Sequence, residues 1–279
     1  MDRQRRAKGG NVEGSIFANF YTIGINFFIF ITGLAVGSFL NVCIYRLPRE
    51  QSLVKPRSHC PHCKKTISWR DNIPLLSYIL LKGKCRHCKA KISFQYFTVE
   101  LITALMFILF YNTFGLTVKS IIYLVFTCGL IVATFVDFNF RIIPDEINIG
   151  GIILGLVASF IYPELHNAGS HIFGLYMSFL GIIVGGGILW LTGLIGDFIF
   201  KKETMGGGDV KLLAMIGEFL GWKIAVLTFF ISPIFGAVVG IIIKLRTKNS
   251  LIAYGPYLAL GSLVSLFFGN DILKWILLR

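Results

Sequence analysis

Met205-Gly206-Gly207-Gly208-Asp209-Val210-Lys211 sets an acid behind three glycines, with apolar sequence closing in on both sides. Gly181 to Phe200 runs up to this stretch, and Leu212 to Trp222 and then Ile224 to Ile243 run away from it. Glycine carries no side chain to block a neighbour, so the backbone can turn sharply here and be approached closely. An aspartate in such a place is either a helix cap or a working carboxylate, and a working carboxylate needs a second one within reach. Asp137, in Val136-Asp137-Phe138-Asn139-Phe140-Arg141-Ile142-Ile143-Pro144-Asp145, ends the apolar run Leu130 to Val136 and is not placed to start a helix. An ionisable group at the end of a span is a site hypothesis by default. Asp145 competes for the role. Pro144 disfavours helix at Ile143, which puts Asp145 at the N-cap of the next helix, where aspartate is preferred.

Hydrophobic residues make up 55% of the 279, in runs of about 20, the length at which a helix spans a bilayer. The expected fold is therefore an all-α polytopic membrane protein with about eight membrane helices, one of them short. Its organisation is a basic tail (1–19), a first membrane helix (20–45), a cytoplasmic loop domain (46–96) and a membrane core (97–279). Of the 27 Lys and Arg, 12 fall between Arg46 and Lys91. Basic loops beside spanning helices set orientation, so the positive charge speaks for topology and a bilayer rather than for nucleic acid. The tail is basic like a signal peptide, but no small-residue cleavage site follows a short apolar core. The first run is therefore read as a retained span.

Further spans are expected at about 97–114, 121–136, 147–162, 172–200, 224–243 and 251–268, with 209–222 as a half-span. That alternation puts Asp137 and Asp209 at one face, the cytoplasmic one. Span 1 contains Gly33-Leu34-Ala35-Val36-Gly37, a small-xxx-small pattern suited to close helix packing. Its Asn41 must find a partner inside the bundle. Glu100 opens span 2, either as a solvated charge favoured by the helix dipole or as a site residue. Gly185-Gly186-Gly187 lies deep in apolar sequence and reads as a packing face.

The loop holds Cys60-Pro61-His62-Cys63 and Cys85-Arg86-His87-Cys88, with 21 residues between the pairs. Two such knuckles can offer four thiolates in a tetrahedron, which is what structural zinc needs. In a cytoplasmic loop, disulfides are the weaker reading. His62 and His87 could substitute as ligands. Two aspartates sharing a site cannot comfortably both ionise. One can act as base on a water while the other, protonated, polarises a carbonyl. That chemistry is peptide hydrolysis without a covalent intermediate.

Taken in order, four blocks resemble the bacterial prepilin peptidases, of the Gly-x-Gly-Asp aspartyl protease type. They are Gly37-Ser38-Phe39-Leu40-Asn41-Val42 with Tyr45-Arg46-Leu47-Pro48, the paired knuckles, Asp137 with Ile143-Pro144-Asp145, and Gly206-x-Gly208-Asp209-x-Lys211-Leu212. The loop stretch Trp69 to Tyr78 agrees as well. The resemblance implies cleavage of the basic leader of prepilins or pseudopilins after a glycine, at the cytoplasmic face of the bacterial plasma membrane. It also implies N-methylation of the new first residue with S-adenosylmethionine as donor. Asp137 and Asp209 take the catalytic positions, and Gly206, Gly208, Lys211, Asp145 and Glu100 support them. Cys60, Cys63, Cys85 and Cys88 take the metal positions. Lys64 and Lys89 stand where the family often carries glycine, and Asn148 where threonine is common. Two other readings stay open: a peptidase without methylation, and a proton- or ion-coupled transporter, since paired membrane aspartates also relay protons.

Overall fold

In the computed structural model, residues 2–246 and 253–277 are described, with side chains omitted for 2–21, 243, 244, 246 and 277. Nine α-helices are found among them: α1 (Asp2–Arg46), α2 (Leu76–Leu80), α3 (Phe94–Phe114), α4 (Val118–Phe140), α5 (Asp145–Ile161), α6 (His171–Phe200), α7 (Gly207–Leu220), α8 (Trp222–Arg246) and α9 (Gly255–Leu277). Six of these, α1, α3, α4, α6, α8 and α9, are long and apolar enough to cross a membrane. The chain is an integral membrane protein. The backbone of α1 is helical through the expected basic tail. Residues 251 and 252, the expected start of the last span, lie outside the described residues, and α9 begins at Gly255.

The chain forms two compact units. One comprises residues 1–41 with 57–115, and the other residues 42–56 with 116–279. In the first, α1 and α3 approach closely through the predicted small-residue pattern. A β-carbon at Gly33 would stand 2.6 Å from Ala104 Cα, and one at Gly37 2.7 Å from Glu100 Cα. Asn41 finds its partner by donating to the Tyr96 carbonyl at 3.0 Å.

The second unit is organised around α7, whose residues Leu212 to Phe219 are all buried. Leu212, Leu213, Met215 and Ile216 pack with Phe126, Leu130, Leu189 and Leu258 from α4, α6 and α9. The Phe219 ring meets the Phe126 ring at 4.9 Å between centroids. Against α6 the contact is backbone on backbone. A β-carbon on Gly181 would run into the Gly217 carbonyl, and one on Gly217 into the Gly181 carbonyl. Gly185 stands in the same relation to the Leu213 carbonyl. The glycine run thus packs through Gly185 and Gly186, while Gly187 meets nothing. Because neither carbonyl can retreat as a flexible side chain could, Gly217→Ala is expected to cost about 1–3 kcal/mol or more. A fall in the thermal midpoint of the detergent-solubilised protein, larger than for Gly187→Ala, is the measurement that checks it.

At 14 residues, α7 is about 21 Å long, short of a 30 Å hydrocarbon core. Its far end nonetheless reaches the 3-10 turn Pro163–His166, where a β-carbon on Gly221 would stand 3.8 Å from His166 Nδ1. The half-span is thus a central pillar running beside α5, itself only 17 residues long.

Candidate active site

Four chain segments converge at the N-terminal end of α7. Asp137 lies in the last turn of α4, which Arg141 closes in the left-handed conformation by donating its N–H to the Asp137 carbonyl. The Asp137 side chain is buried, and its Oδ2 accepts the Gly255 N–H at 2.9 Å. That amide is free to donate because Gly255 is the first residue of α9, and the first four N–H groups of a helix have no partner within it. A β-carbon on Gly255 would stand 2.8 Å from Asp137 Oδ2 and 3.1 Å from Ile143 Cδ1, so only glycine lets the backbone come this near.

Asp209 is the third residue of α7, with Gly206 as the N-cap. Its carboxylate reaches back to the Gly206 N–H while its own N–H donates to the Gly206 carbonyl at 3.1 Å. This is one half of a capping box, the return of the third helical residue to the cap amide, since Gly206 has no side chain to supply the other half. Ile143, buried in the turn before α5, joins the two acids. It lies against Gly255 and Asp137 on one side, and 3.2 Å from where a Gly208 β-carbon would be on the other. The carboxylates are near enough for the charge of Asp137 to act on Asp209. Tyr254, next to Gly255, also feels the charge of Asp209.

Of the other sequence-predicted residues, Gly206, Gly208, Asp145 and Lys211 gather at the starts of α5 and α7. Asp145 is not the cap of α5. Pro144 holds that position, and Asp145 is the first helical residue with no capping bond. A proline can occupy the extended cap conformation, which pushes the acid one place inward. There Asp145 receives Lys211 Nζ at 2.7 and 2.9 Å, an exposed pair of the kind that contributes about 0–1 kcal/mol. It ties the starts of α5 and α7 together. Asn148, buried on α5, donates to the Gly208 carbonyl at 3.2 Å. Asp197, half-buried near the end of α6, accepts from the Thr204 N–H at 2.7 Å and hydroxyl at 2.8 Å and folds the segment leading into the glycines. Ile143, Asn148, Tyr254 and Gly255 were not among the expected site residues. Ile143, inside the Ile143-Pro144-Asp145 block, and Asn148, as a departure from a common threonine, were the two that carried any signal.

Glu100 belongs to the other unit. It is buried rather than solvated, and its Oε2 accepts the Leu75 N–H at 2.8 Å. Leu75 has φ 56° and ψ −51°, and the Leu76 N–H reaches back to the Pro74 carbonyl at 2.6 Å. That is a γ-turn, of the kind that costs about 1–3 kcal/mol and persists only when its surroundings hold it. The Glu100 carboxylate is the holder.

Also in that unit, Cys60, Cys63, Cys85 and Cys88 bring their sulfurs within 4.8 Å of one another. This cluster could hold a metal ion. Cys60 Sγ and Cys88 Sγ are 3.8 Å apart, the edge of a tetrahedron with metal–sulfur bonds of about 2.3 Å. His62 and His87 are exposed outside it. Each knuckle is a tight hairpin. The Lys64 N–H donates to the Cys60 carbonyl, the Lys89 N–H to the Cys85 carbonyl, and bridges His59–Thr66 and Lys84–Lys91 close them. Backbone hydrogen bonds from Cys88 and His87 bring the Cys85 thiol down to about 6, while Cys88, despite a backbone bond at Ala90, is pushed up to about 11 by desolvation and the neighbouring thiols, so the cluster shares its protons unevenly. The Arg86 guanidinium grips Asp71 at 2.6–3.0 Å and holds that carboxyl below its usual range.

Lys64 and Lys89 have φ of 59° and 57°. The left-handed conformation costs a residue with a β-carbon about 1–2 kcal/mol, and glycine nearly nothing. Lys64→Gly with Lys89→Gly is therefore expected to raise, several-fold, the chelator concentration needed to strip metal from the loop.

Residues 31–114 match the bacterial peptidase A24 N-terminal domain, and residues 124–241 match the type IV leader peptidase family. The chain is 34% identical to a prepilin leader peptidase/N-methyltransferase of Aeromonas hydrophila, over 89% of this chain and 92% of that one. It is 36% identical to the protein of that description from Pseudomonas aeruginosa, over 88% and 90% of the two chains. With that of Myxococcus xanthus it shares 37%, over 80% of this chain and 64% of the other. No solved structure matches the chain significantly.

Proposed function

Because the chain belongs to the type IV leader peptidase family, we infer that it removes the leader from prepilins or pseudopilins and methylates the new N-terminus. The transporter reading falls with family membership. The observation that carries the cutting step is the convergence of Asp137 and Asp209 on Ile143 and Gly255, each carboxylate already held by one backbone N–H. We assign the hydrolysis to this pair. A single proton shared between them leaves one carboxylate to take a proton from water and the other to donate to the scissile carbonyl oxygen. Attack then gives a tetrahedral diol, whose collapse releases the leader and a free amine. Gly206, Gly208, Asn148 and the Lys211–Asp145 pair set the position of Asp209, and both acids are assigned to the cytoplasmic face of the inner membrane.

The second activity needs a methyl donor, and S-adenosylmethionine is the donor this reading carries. Among the described residues no strand–glycine-loop–helix cradle is found, so no residue is assigned to it. The four-sulfur cluster fits zinc by donor type, number and spacing. When bound, zinc would cross-link the two knuckles, making 46–96 a metal-held loop domain and 97–279 the membrane core.

Mass spectrometry of a prepilin-like substrate incubated with the solubilised enzyme and S-adenosylmethionine tests the whole reading. A mature chain one methyl heavier is the expected product. A mature but unmethylated chain would confine the enzyme to peptidase chemistry, and an uncut substrate across several leaders would overturn the assignment.

A further inference from the structure

The first unit contains a short helix whose exposed face is wholly apolar. In α2, Leu76, Ile79 and Leu80 stand at i, i+3 and i+4 and so share one side. All three are exposed, Leu80 at 71%. The opposite side is anchored. The Ser77 hydroxyl donates to the Arg70 carbonyl at 3.0 Å and accepts the Ile73 N–H at 2.9 Å. The Tyr78 ring packs on the Phe94 and Phe97 rings, at 6.2 and 5.7 Å between centroids. In a water-facing loop, such a face would be left solvated at a cost.

Depth along α3 decides what covers it. With 21 residues, α3 is about 32 Å long, so nearly all of it is needed to cross a core of about 30 Å. Glu100 lies six residues inside its start, about 9 Å along the axis. Helical side chains lean back about one turn toward the N-terminus, which puts the Glu100 carboxylate, and with it the Leu75 N–H, near the level of Phe97. The Tyr78 contacts fix the same level independently. The helix α2 is therefore held beside the first turns of a spanning helix, at the height of the headgroup–acyl boundary. Phe94, which the Tyr78 ring touches, is itself exposed. Lys82 and Lys84 follow α2 in the chain and Lys91 precedes α3, and all three are exposed, as cations that meet anionic lipid phosphates would be.

We propose that α2 is a membrane-contact wedge: Leu76, Ile79 and Leu80 insert into the boundary of the anionic leaflet that α3 enters, with the three lysines on its phosphates. Glu100 sets the depth of the wedge by holding Leu75 in its γ-turn. The surface is one that no catalytic assignment uses.

The test places the full chain, carrying Leu80→Trp, in nanodiscs of anionic lipid brominated near the top of the acyl chains. The emission of the unsubstituted chain is subtracted. The added fluorescence is expected to fall at least about twofold relative to unbrominated lipid, and to resist aqueous iodide. Quenching by iodide with no response to bromolipid would overturn the proposal. If Leu80→Trp precipitates, the same readout at Ile79→Trp decides it. An indole introduced at Lys65, exposed in the first knuckle of the same unit, provides the iodide-sensitive comparison.

Discussion

Asp209→Ala is expected to abolish cleavage of a prepilin-like substrate, with kcat/KM falling by about 10²–10⁴-fold, the usual worth of a positioned acid or base. Asp137→Ala is expected to match it. The more telling variant is Asp209→Asn. An asparagine oxygen can still accept the Gly206 N–H, so the helix start that Asp209 caps would survive. If capping were the whole role of Asp209, Asp209→Asn would cut normally. With one carboxylate serving as base and the other as acid, it would not, and the double variant with Asp137→Asn would be little worse than either alone, because the pair acts as a unit. For the intact enzyme the rate should fall on both sides of an optimum, with apparent pKa values that belong to the pair. Asp145→Ala removes only an exposed ion pair and should leave a measurable fraction of the activity. Full activity in Asp137→Ala or Asp209→Ala would sink the assignment.

The second large effect is on the loop. Cys60 is the buried member of the sulfur cluster, and Cys60→Ser leaves three sulfurs in a shell built for four. Structural zinc contributes about 10–16 kcal/mol to the small folds it holds, far more than the short knuckle hairpins can supply themselves. Elemental analysis is expected to give about one zinc per wild-type chain and almost none for Cys60→Ser. Trypsin should then cut rapidly among Lys82, Lys84, Lys89 and Lys91 in the variant and slowly in the wild type. A metal-free wild-type chain that resists trypsin equally well would refute the zinc-held loop.

What could be read from the residues alone was what depends on length, period and spacing. Apolar runs located the helices, because crossing a bilayer demands a minimum length whatever the neighbours are. The two Cys-x-x-Cys pairs located the cluster, because a turn of four residues already brings two sulfurs together. Contacts made across the fold were not legible. The Gly255 amide serves Asp137, 118 residues away, and its availability depends on α9 starting there and not at Leu251. Hydropathy cannot place that start, since apolar residues flank it on both sides. Glu100 was ambiguous for the same reason, since its partner Leu75 owes its backbone conformation to a turn no local pattern announces. Asp145 was misplaced because the rule for residues before proline says where a helix cannot run, and not which residue takes the cap.

The glycine contact between α6 and α7 carries a consequence for how such an enzyme can change. Gly181 and Gly185 are one turn apart on α6, and they receive Gly217 and Leu213, one turn apart on α7. Two notches in step make a vernier, and sliding α7 by less than a full turn would set carbonyl against carbonyl. Asp209 rides on that scale, one turn below Leu213, so its height in the membrane is fixed by the notch on its neighbour. A side chain that filled either notch on α6 would therefore reach Asp209 through the height of α7, without touching the carboxylate itself.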